Sequence, residues 1–224
     1  MFTQSQIAII IVILRRKLFI HLNLLGMNLI QFPIQLTFKI GTFSNDFVAK
    51  DINGSTVAYV RQKMLKLIDE VQVFADETRL QQNYTIKANQ WLDFSASYKF
   101  TDHNGFEIGR IARKGWASLW KANYDIFDEQ QQKDLFVREE NPLAKIFDSM
   151  LGEVPILGML TGYFFHPAYS VARPDGTIVA RLVKEPSLFG RKFKIEKLNN
   201  FEKGEEERIL LGLMMMILLE RQRG

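Results

Sequence analysis

The sequence predicts a mainly β protein in which a closed antiparallel sheet surrounds one hydrophobic C-terminal helix. Two observations carry this prediction: an unbroken apolar run at Ile209–Leu219, and a hairpin pattern that occurs three times earlier in the chain. Many short strands joined by tight turns favour a closed sheet. A helix that is apolar on every face has to be buried in protein or lipid. A barrel with this helix as its core satisfies both observations.

Composition limits the classes of protein that the chain can belong to. Its 224 residues are 47% hydrophobic and 24% charged, which fits one folded domain. The absence of cysteine excludes disulfides, thiolate nucleophiles and cysteine-based zinc sites. It suits a cytoplasmic location, with a peripheral membrane location left open. A net charge of +4 permits anionic lipid as a partner but is no nucleic-acid signature.

The N-terminus allows two interpretations. An apolar run, Ile7–Leu14, is followed by Arg15, Arg16 and Lys17, whereas a signal peptide has its positive charge first. The run is either a weak membrane anchor with basic residues after it, or part of an extension upstream of a natural start at Met27. We therefore expect an extension at 1–26 and one barrel domain at 27–224.

The repeated hairpin is defined by a turn and by the residues after it. The three copies are Asp51–Lys63, Asp102–Lys114 and Pro174–Glu185. Asn-Gly and Asp-Gly supply the positive φ that tight hairpin turns require. Counted from each glycine, position +3 holds Val57, Ile108 or Val179, position +4 holds Ala58, Gly109 or Ala180, and position +6 holds Val60, Ile111 or Leu182. This repetition indicates a strand entry with a bulge or kink.

Further strands are predicted around these hairpins. Trp120–Ile126 and Phe193–Leu198 alternate apolar and polar residues. The other predicted strands are Asp46–Lys50, Val71–Phe74, Tyr84–Ala88, Phe94–Thr101 and Tyr169–Arg173.

One segment interrupts the β pattern. Asn141-Pro142 is typical of a helix start, which predicts a short helical insertion near 142–151. The apolar stretch Val154–Pro167 follows it and is expected to pack over one barrel end. Alternatively the stretch is exposed as a membrane or partner loop, whose contact residues would be Leu157, Met159, Leu160 and Phe164.

The C-terminal run is too short to span a bilayer. Eleven apolar residues give about 16 Å of helix, roughly half of a hydrocarbon core. Glu205–Glu207 precede the run and Arg221 and Arg223 follow it, which matches the helix dipole. We therefore expect a core helix, with Gly212 at a close approach of a strand and with Met214–Met216 as flexible filler.

These features resemble the Tubby C-terminal-like superfamily, which includes LURP-one-related proteins and phospholipid scramblases. The resemblance is one of arrangement and has no short diagnostic motif; it is carried by Asp51–Lys63, Asp102–Lys114, Tyr124–Asp128, Arg173–Val183 and Glu207–Glu220. It implies a twelve-stranded barrel threaded by the C-terminal helix, no enzymatic activity, and binding of phosphoinositides or other anionic lipids through basic surface residues. The chain lacks the Pro-rich tail and cysteine cluster of scramblases, which counts against lipid translocation.

No residue is singled out for catalysis, and no cofactor is expected. The chain has no phosphate-binding Gly-rich loop and no hydrolase or metalloprotease motif, and its histidines, His21, His103 and His166, are isolated. Glu202 and Glu205–Glu207 are candidates for a cation. Acidic residues at a helix N-terminus need no metal, however, so none is expected.

Two basic clusters are the candidate lipid-binding residues. The first contains Arg110, Arg113, Lys114 and Lys121, near two tryptophans, and the second contains Arg191, Lys192 and Lys194. Cations beside aromatic rings suit anionic headgroups, although exposed strands also carry Lys and Arg for solubility. Three functions stay open: a lipid-binding module, a soluble scaffold or protein-interaction module, and scramblase-like lipid translocation.

Overall fold

The computed structural model describes residues 30–41, 45–63, 70–88, 97–113, 122–140, 168–187 and 192–223. The barrel lies within the compact unit Phe32–Gly224. Its elements are β1 (Ile34–Phe38), β2 (Phe47–Lys50), β3 (Thr56–Lys63), β4 (Glu70–Phe74), β5 (Gln82–Ala88), β6 (Ser97–Asp102), β7 (Glu107–Arg113), β8 (Asn123–Phe127), β9 (Lys133–Glu139), β10 (Ala168–Ala172), β11 (Ile178–Glu185), β12 (Lys192–Lys197) and α1 (Glu205–Arg223).

The sheet is a closed up-and-down barrel. Each strand pairs antiparallel with the next one along the chain, and β1 pairs with β12 to close the ring, for example Leu36 with Phe193. Closure leaves no unpaired edge strand. The predicted closed antiparallel barrel of twelve strands is confirmed. Two of its strands, β1 and β9, are missing from those that the sequence pattern predicts.

The three repeated hairpins have one backbone turn geometry, in which the glycine N–H donates to the carbonyl oxygen three residues before it, at 2.9 or 3.0 Å. In the β6–β7 turn, the Asp102 carboxylate accepts hydrogen bonds from the N–H groups of Asn104 and Phe106, at 2.9 and 2.8 Å. Gly105 supplies the positive φ, 84°. Beyond the turn the strand register shifts by one residue in all three hairpins, and the extra residues are Val57, Ile108 and Val179. The bulge predicted at position +3 is therefore confirmed.

Two more hairpins carry the same register shift without a glycine in the turn. In the β8–β9 turn, Asp128 accepts hydrogen bonds from the N–H groups of Gln130 and Gln132, and Gln131 has a φ of 65°. In the β4–β5 turn, Arg79 has a φ of 61°. The extra residues of the two bulges are Asp134 and Asn83. Because connections of an up-and-down barrel alternate between its ends, all five short hairpins lie at one end.

Helix α1 forms the core of the barrel. Every apolar side chain from Ile209 to Leu218 exposes 6% or less of its surface, including those of Met214–Met216. Gly212 permits the close packing, since a Cβ there would lie 2.7 Å from Cδ1 of Ile126 on β8. The predictions of a buried core helix and of a close approach at Gly212 are confirmed.

Both ends of α1 are fixed to the barrel wall by polar contacts. At the N-terminal end, the Arg208 guanidinium donates two hydrogen bonds to Asp134 Oδ2, at 2.9 and 2.5 Å. Gly109 leaves room for this side chain, because a Cβ there would lie 2.7 Å from Arg208 Cδ. At the other end, the Tyr124 hydroxyl donates to Glu220, at 2.5 Å. The acidic Glu220 near the helix C-terminus is thus held by the barrel wall.

Several expectations fall outside the described residues. They are the extension at 1–26, the helix near 142–151, and the loop with Leu157, Met159, Leu160 and Phe164. These stay predictions.

Candidate functional site

Arg110 and Arg113, from the first basic cluster, lie on opposite sides of the barrel wall. They are three residues apart on β7, and side chains of a strand alternate between its faces. Arg110 lies on the outer face, with its guanidinium carbon 4.3 Å from the centroid of the Phe127 ring. Arg113 faces the interior, where its guanidinium is 3.8 Å from Glu220 of α1 and 15% of its side chain is exposed. These two arginines therefore do not form one basic surface.

Three other candidates, Lys114, Lys121 and Arg191, lie outside the described residues. The first two belong to the β7 cluster and the third to the β12 cluster. In the ring of strands, β7 and β12 are five strands apart in one direction and seven in the other. The structure therefore places the described members of the two clusters, on β7 and on β12, on nearly opposite sides of the barrel.

Lys192 and Lys194 both project from the outer face, because they are two residues apart on β12. Barrel closure brings a third lysine to them. Gln35 of β1 is the Cα partner of both Lys194 and Lys50 of β2, so all three side chains share one face. We call this outer surface of β12, β1 and β2 the closure face. Sequence patterns miss Lys50, because only the β1–β12 pairing places it there.

The closure face is basic but not free of carboxylates. Lys194 Nζ lies 2.7 Å from Glu196 Oε1, and this hydrogen bond raises the pKa of the ammonium group above its ordinary value. Gln35 Nε2 donates to Glu185, at 3.0 Å. Lys50 and Lys192 are exposed and form no ion pair with any described residue. Two of the three ammonium groups are therefore available to an external anion.

Lysines and arginines elsewhere on the barrel wall are mostly paired with carboxylates. The pairs are Lys87 with Glu70, Lys99 with Glu107, Lys133 and Arg138 with Asp125, and Arg181 with Glu140. Paired side chains of this kind are expected on a solvated strand face. On the closure face, Lys50 and Lys192 form no ion pair with a described residue, as is also true of Arg61 on β3 and Arg110 on β7.

The acidic residues considered for a cation are bound by protein groups. Glu205 accepts two hydrogen bonds from Arg173, at 2.8 and 2.7 Å, and Glu207 accepts one from the Tyr84 hydroxyl, at 2.9 Å. Burial and the Glu207 carboxylate raise the pKa of Tyr84, so its phenol stays protonated as a donor. Within the described ranges, no group of three or more acidic or histidine side chains is placed to hold a metal ion.

A family model described as LURP-one-related matches residues 56–200, which is more than half of the chain. The chain belongs to the LURP-one-related family. The matched part of this LURP-one-related chain begins at the first residue of β3 and ends just after β12. It therefore includes Lys192 and Lys194 but not Lys50 or α1.

This LURP-one-related protein was also compared with curated proteins and with solved structures. No curated protein matches its sequence. An Arabidopsis thaliana protein of known X-ray structure is similar to it, with 14% identity and a TM-score of 0.44, over 86% of this chain and 93% of that chain. Among the described residues, no helix is both long and apolar enough to cross a membrane.

Proposed function

We propose that this LURP-one-related protein is a non-enzymatic binding module that docks on anionic lipid headgroups through the closure face. The observation that supports this proposal is the placement of Lys50, Lys192 and Lys194 on two strands that flank β1. With neighbouring strands about 4.8 Å apart, Lys50 and Lys194 are separated by about 10 Å at their Cα atoms. Several headgroup oxygens can be contacted at once across such a distance.

Electrostatics give the expected strength of this interaction. Each cation near an anionic membrane surface contributes about 1 kcal/mol. Lys50 and Lys192, the two lysines that form no ion pair with a described residue, therefore supply about 2 kcal/mol, or roughly 30-fold in affinity. Glu185 and Glu196 lower the local positive potential and weaken the attraction. Because the attraction is electrostatic, binding is expected to weaken as the ionic strength rises.

The two alternatives from the sequence are less well supported. Scramblase-like translocation requires lipid contact with the C-terminal helix, and the burial of Ile209–Leu218 in the barrel counts against it. The scaffold hypothesis depends on the loop at 154–165, which lies outside the described residues.

The proposal is tested by vesicle sedimentation with the full chain at low ionic strength. Vesicles of phosphatidylcholine alone are compared with vesicles that also contain phosphatidylserine or a phosphoinositide. We expect sedimentation with the anionic vesicles only. In the variant Lys50→Gln/Lys192→Gln/Lys194→Gln, the affinity is expected to fall about 30-fold.

A control variant separates the closure face from net charge. Lys87→Gln/Lys99→Gln/Lys133→Gln removes the same charge at three exposed lysines that are paired on other strands. The control is expected to bind anionic vesicles as the unchanged protein does. Lack of any binding to anionic vesicles, or equal losses in both variants, would contradict the proposal.

A further inference from the structure

The end of the barrel that carries the five short hairpins exposes several large apolar side chains. We call it the turn end; it consists of residues 51–55, 75–81, 102–106, 128–132, 173–178 and 198–204. Of the large hydrophobic side chains that are exposed among the described residues, five lie there: Ile52 (61%), Leu80 (90%), Phe106 (70%), Ile178 (43%) and Leu198 (49%). The sixth, Ile40, lies in the β1–β2 connection, where the neighbouring Lys39 contacts Glu77 of the turn end at 2.8 Å.

Turn geometry does not require these apolar residues. The β2–β3 and β8–β9 turns both begin with an aspartate that caps the loop, yet Ile52 stands where Glu129 stands in the second turn. Phe106 likewise occupies the position held by Gln132. Because polar residues occupy the equivalent positions of the β8–β9 hairpin, turn geometry does not explain the exposed apolar side chains. Exposed apolar groups that cluster on one surface mark interaction sites.

The exposed residues follow one another around the rim of the turn end. Ile178 and Leu198 belong to neighbouring segments, because Asn199 Nδ2 donates to the Ile178 carbonyl at 2.8 Å. Ile52, Leu80 and Phe106 lie on successive hairpins, which are about 10 Å apart in a sheet with this strand spacing. Only the β8–β9 hairpin contributes no large apolar residue. A partner segment that lies along this rim would contact several of the exposed apolar side chains.

The charge of the turn end selects the kind of partner. Its segments contain eight carboxylates and three cations, a net charge of −5, whereas the whole chain has +4. Glu129 and Glu202 expose 54% and 72% of their side chains, each with an arginine 3.5 Å away. Two cations outside these segments, Arg208 and Lys39, pair with Glu129 and Glu77, so the acidic excess that a partner meets is smaller than −5 but still negative. An anionic membrane or a second copy of this end would be repelled, and a positively charged segment would be attracted.

We propose that the turn end docks a basic segment of a partner protein that carries large apolar side chains. The exposed apolar side chains of the turn end contact the apolar side chains of that segment, and the surrounding carboxylates attract its lysines and arginines. The turn end shares no residue with the closure face, although Lys50 directly precedes Asp51, and the proposal does not depend on lipid binding.

The test is a selection from a random 16-residue peptide display library on the immobilised full-length protein. We expect the enriched peptides to combine positive charge with large apolar residues. Their affinity, measured by fluorescence anisotropy, is expected to fall about tenfold or more in Leu80→Ser/Phe106→Ser. It should also fall in Glu129→Gln/Glu202→Gln and at raised ionic strength.

The control is Ile40→Ser, which removes an exposed apolar side chain of the β1–β2 connection, outside the turn end, and should leave the affinity unchanged. All these substitutions are at exposed positions, so thermal unfolding is expected to stay cooperative. Failure to enrich basic apolar peptides, or equal peptide affinity of Leu80→Ser/Phe106→Ser and the unchanged protein, would overturn the proposal. Sedimentation with neutral phosphatidylcholine vesicles that is lost in this variant would overturn it in favour of a membrane surface.

Discussion

Arg173 and Glu205 join the β10–β11 turn to the first residue of α1. The carboxylate exposes 5% of its side chain and the guanidinium 18%, so the pair is largely shielded from water. Burial alone would raise the pKa of Glu205. Hydrogen bonds from Arg173 and from the Glu202 N–H outweigh burial, and the pKa lies below its usual value of 4.5. A lowered carboxyl pKa means that the folded state favours the charged form.

Replacement of Arg173 is expected to destabilise the protein. Arg173→Met leaves the buried Glu205 carboxylate without its partner, which costs about 3 kcal/mol at pH 7. Because the folded pKa of Glu205 is lowered, this stabilisation is present above about pH 4.5 and is lost as the pH falls through the folded value. The measurement is urea unfolding of both proteins between pH 3 and pH 7, and the difference should shrink on acidification.

An exposed ion pair provides the comparison. Lys99→Met breaks the pair with Glu107, whose side chains are 47% and 28% exposed, and should cost less than about 1 kcal/mol. If Arg173→Met cost no more than Lys99→Met at pH 7, the account of the buried pair would be wrong.

The hairpins show which elements are predictable from sequence. Asn-Gly and Asp-Gly mark three of the five short hairpins, and their bulges follow from the repeated spacing. The β8–β9 turn gives no such signal, because Gln131 adopts the positive φ that glycine adopts elsewhere. The strand β9 is missed for this reason. The missing glycine changes the turn only locally, since Asp128 caps the β8–β9 turn as Asp102 caps the β6–β7 turn.

The positive φ at Gln131 predicts the sign of the change in stability when this residue is replaced by glycine. Gln131→Gly relieves a left-handed conformation that glutamine adopts at a cost, and it also removes the exposed hydrogen bond from Gln131 Nε2 to Glu107. The net gain in stability should be about 0.5 kcal/mol. Gln130→Gly is the control, because φ at Gln130 is not positive and the same change should destabilise. Urea unfolding measures both. A loss of stability in Gln131→Gly equal to that in Gln130→Gly would refute the explanation of this turn.

At the scale of the whole molecule, the buried helix and the closed sheet depend on each other. A closed barrel of twelve strands needs a filled interior, and α1 needs a wall around all its faces. The apolar run of α1 and the many short strands are visible in the sequence, so the architecture could be predicted. The closure face could not, because Lys50 and Lys194 become neighbours only through the pairing of β1 with β12.

Charge is distributed unevenly between the turn end and the rest of the chain. The turn end has a net charge of −5 in a chain of +4, so the remaining residues carry a large positive excess. The two proposals assign partners of opposite charge to two surfaces: anionic lipid to the closure face and a basic protein segment to the turn end. The sequence alone does not show that the turn end is acidic, since its eight acidic residues are spread over six connections.

The most direct test of the central claim, that α1 is the enclosed core of the barrel, is amide hydrogen exchange of the full-length protein. We predict that the amides of Leu211–Leu218 exchange only through global unfolding. Their free energies of exchange should then equal those of the β8 amides and the free energy of unfolding measured with urea. Exchange of the α1 amides at a clearly lower free energy than the β8 amides would contradict the account, because the helix would leave an intact barrel.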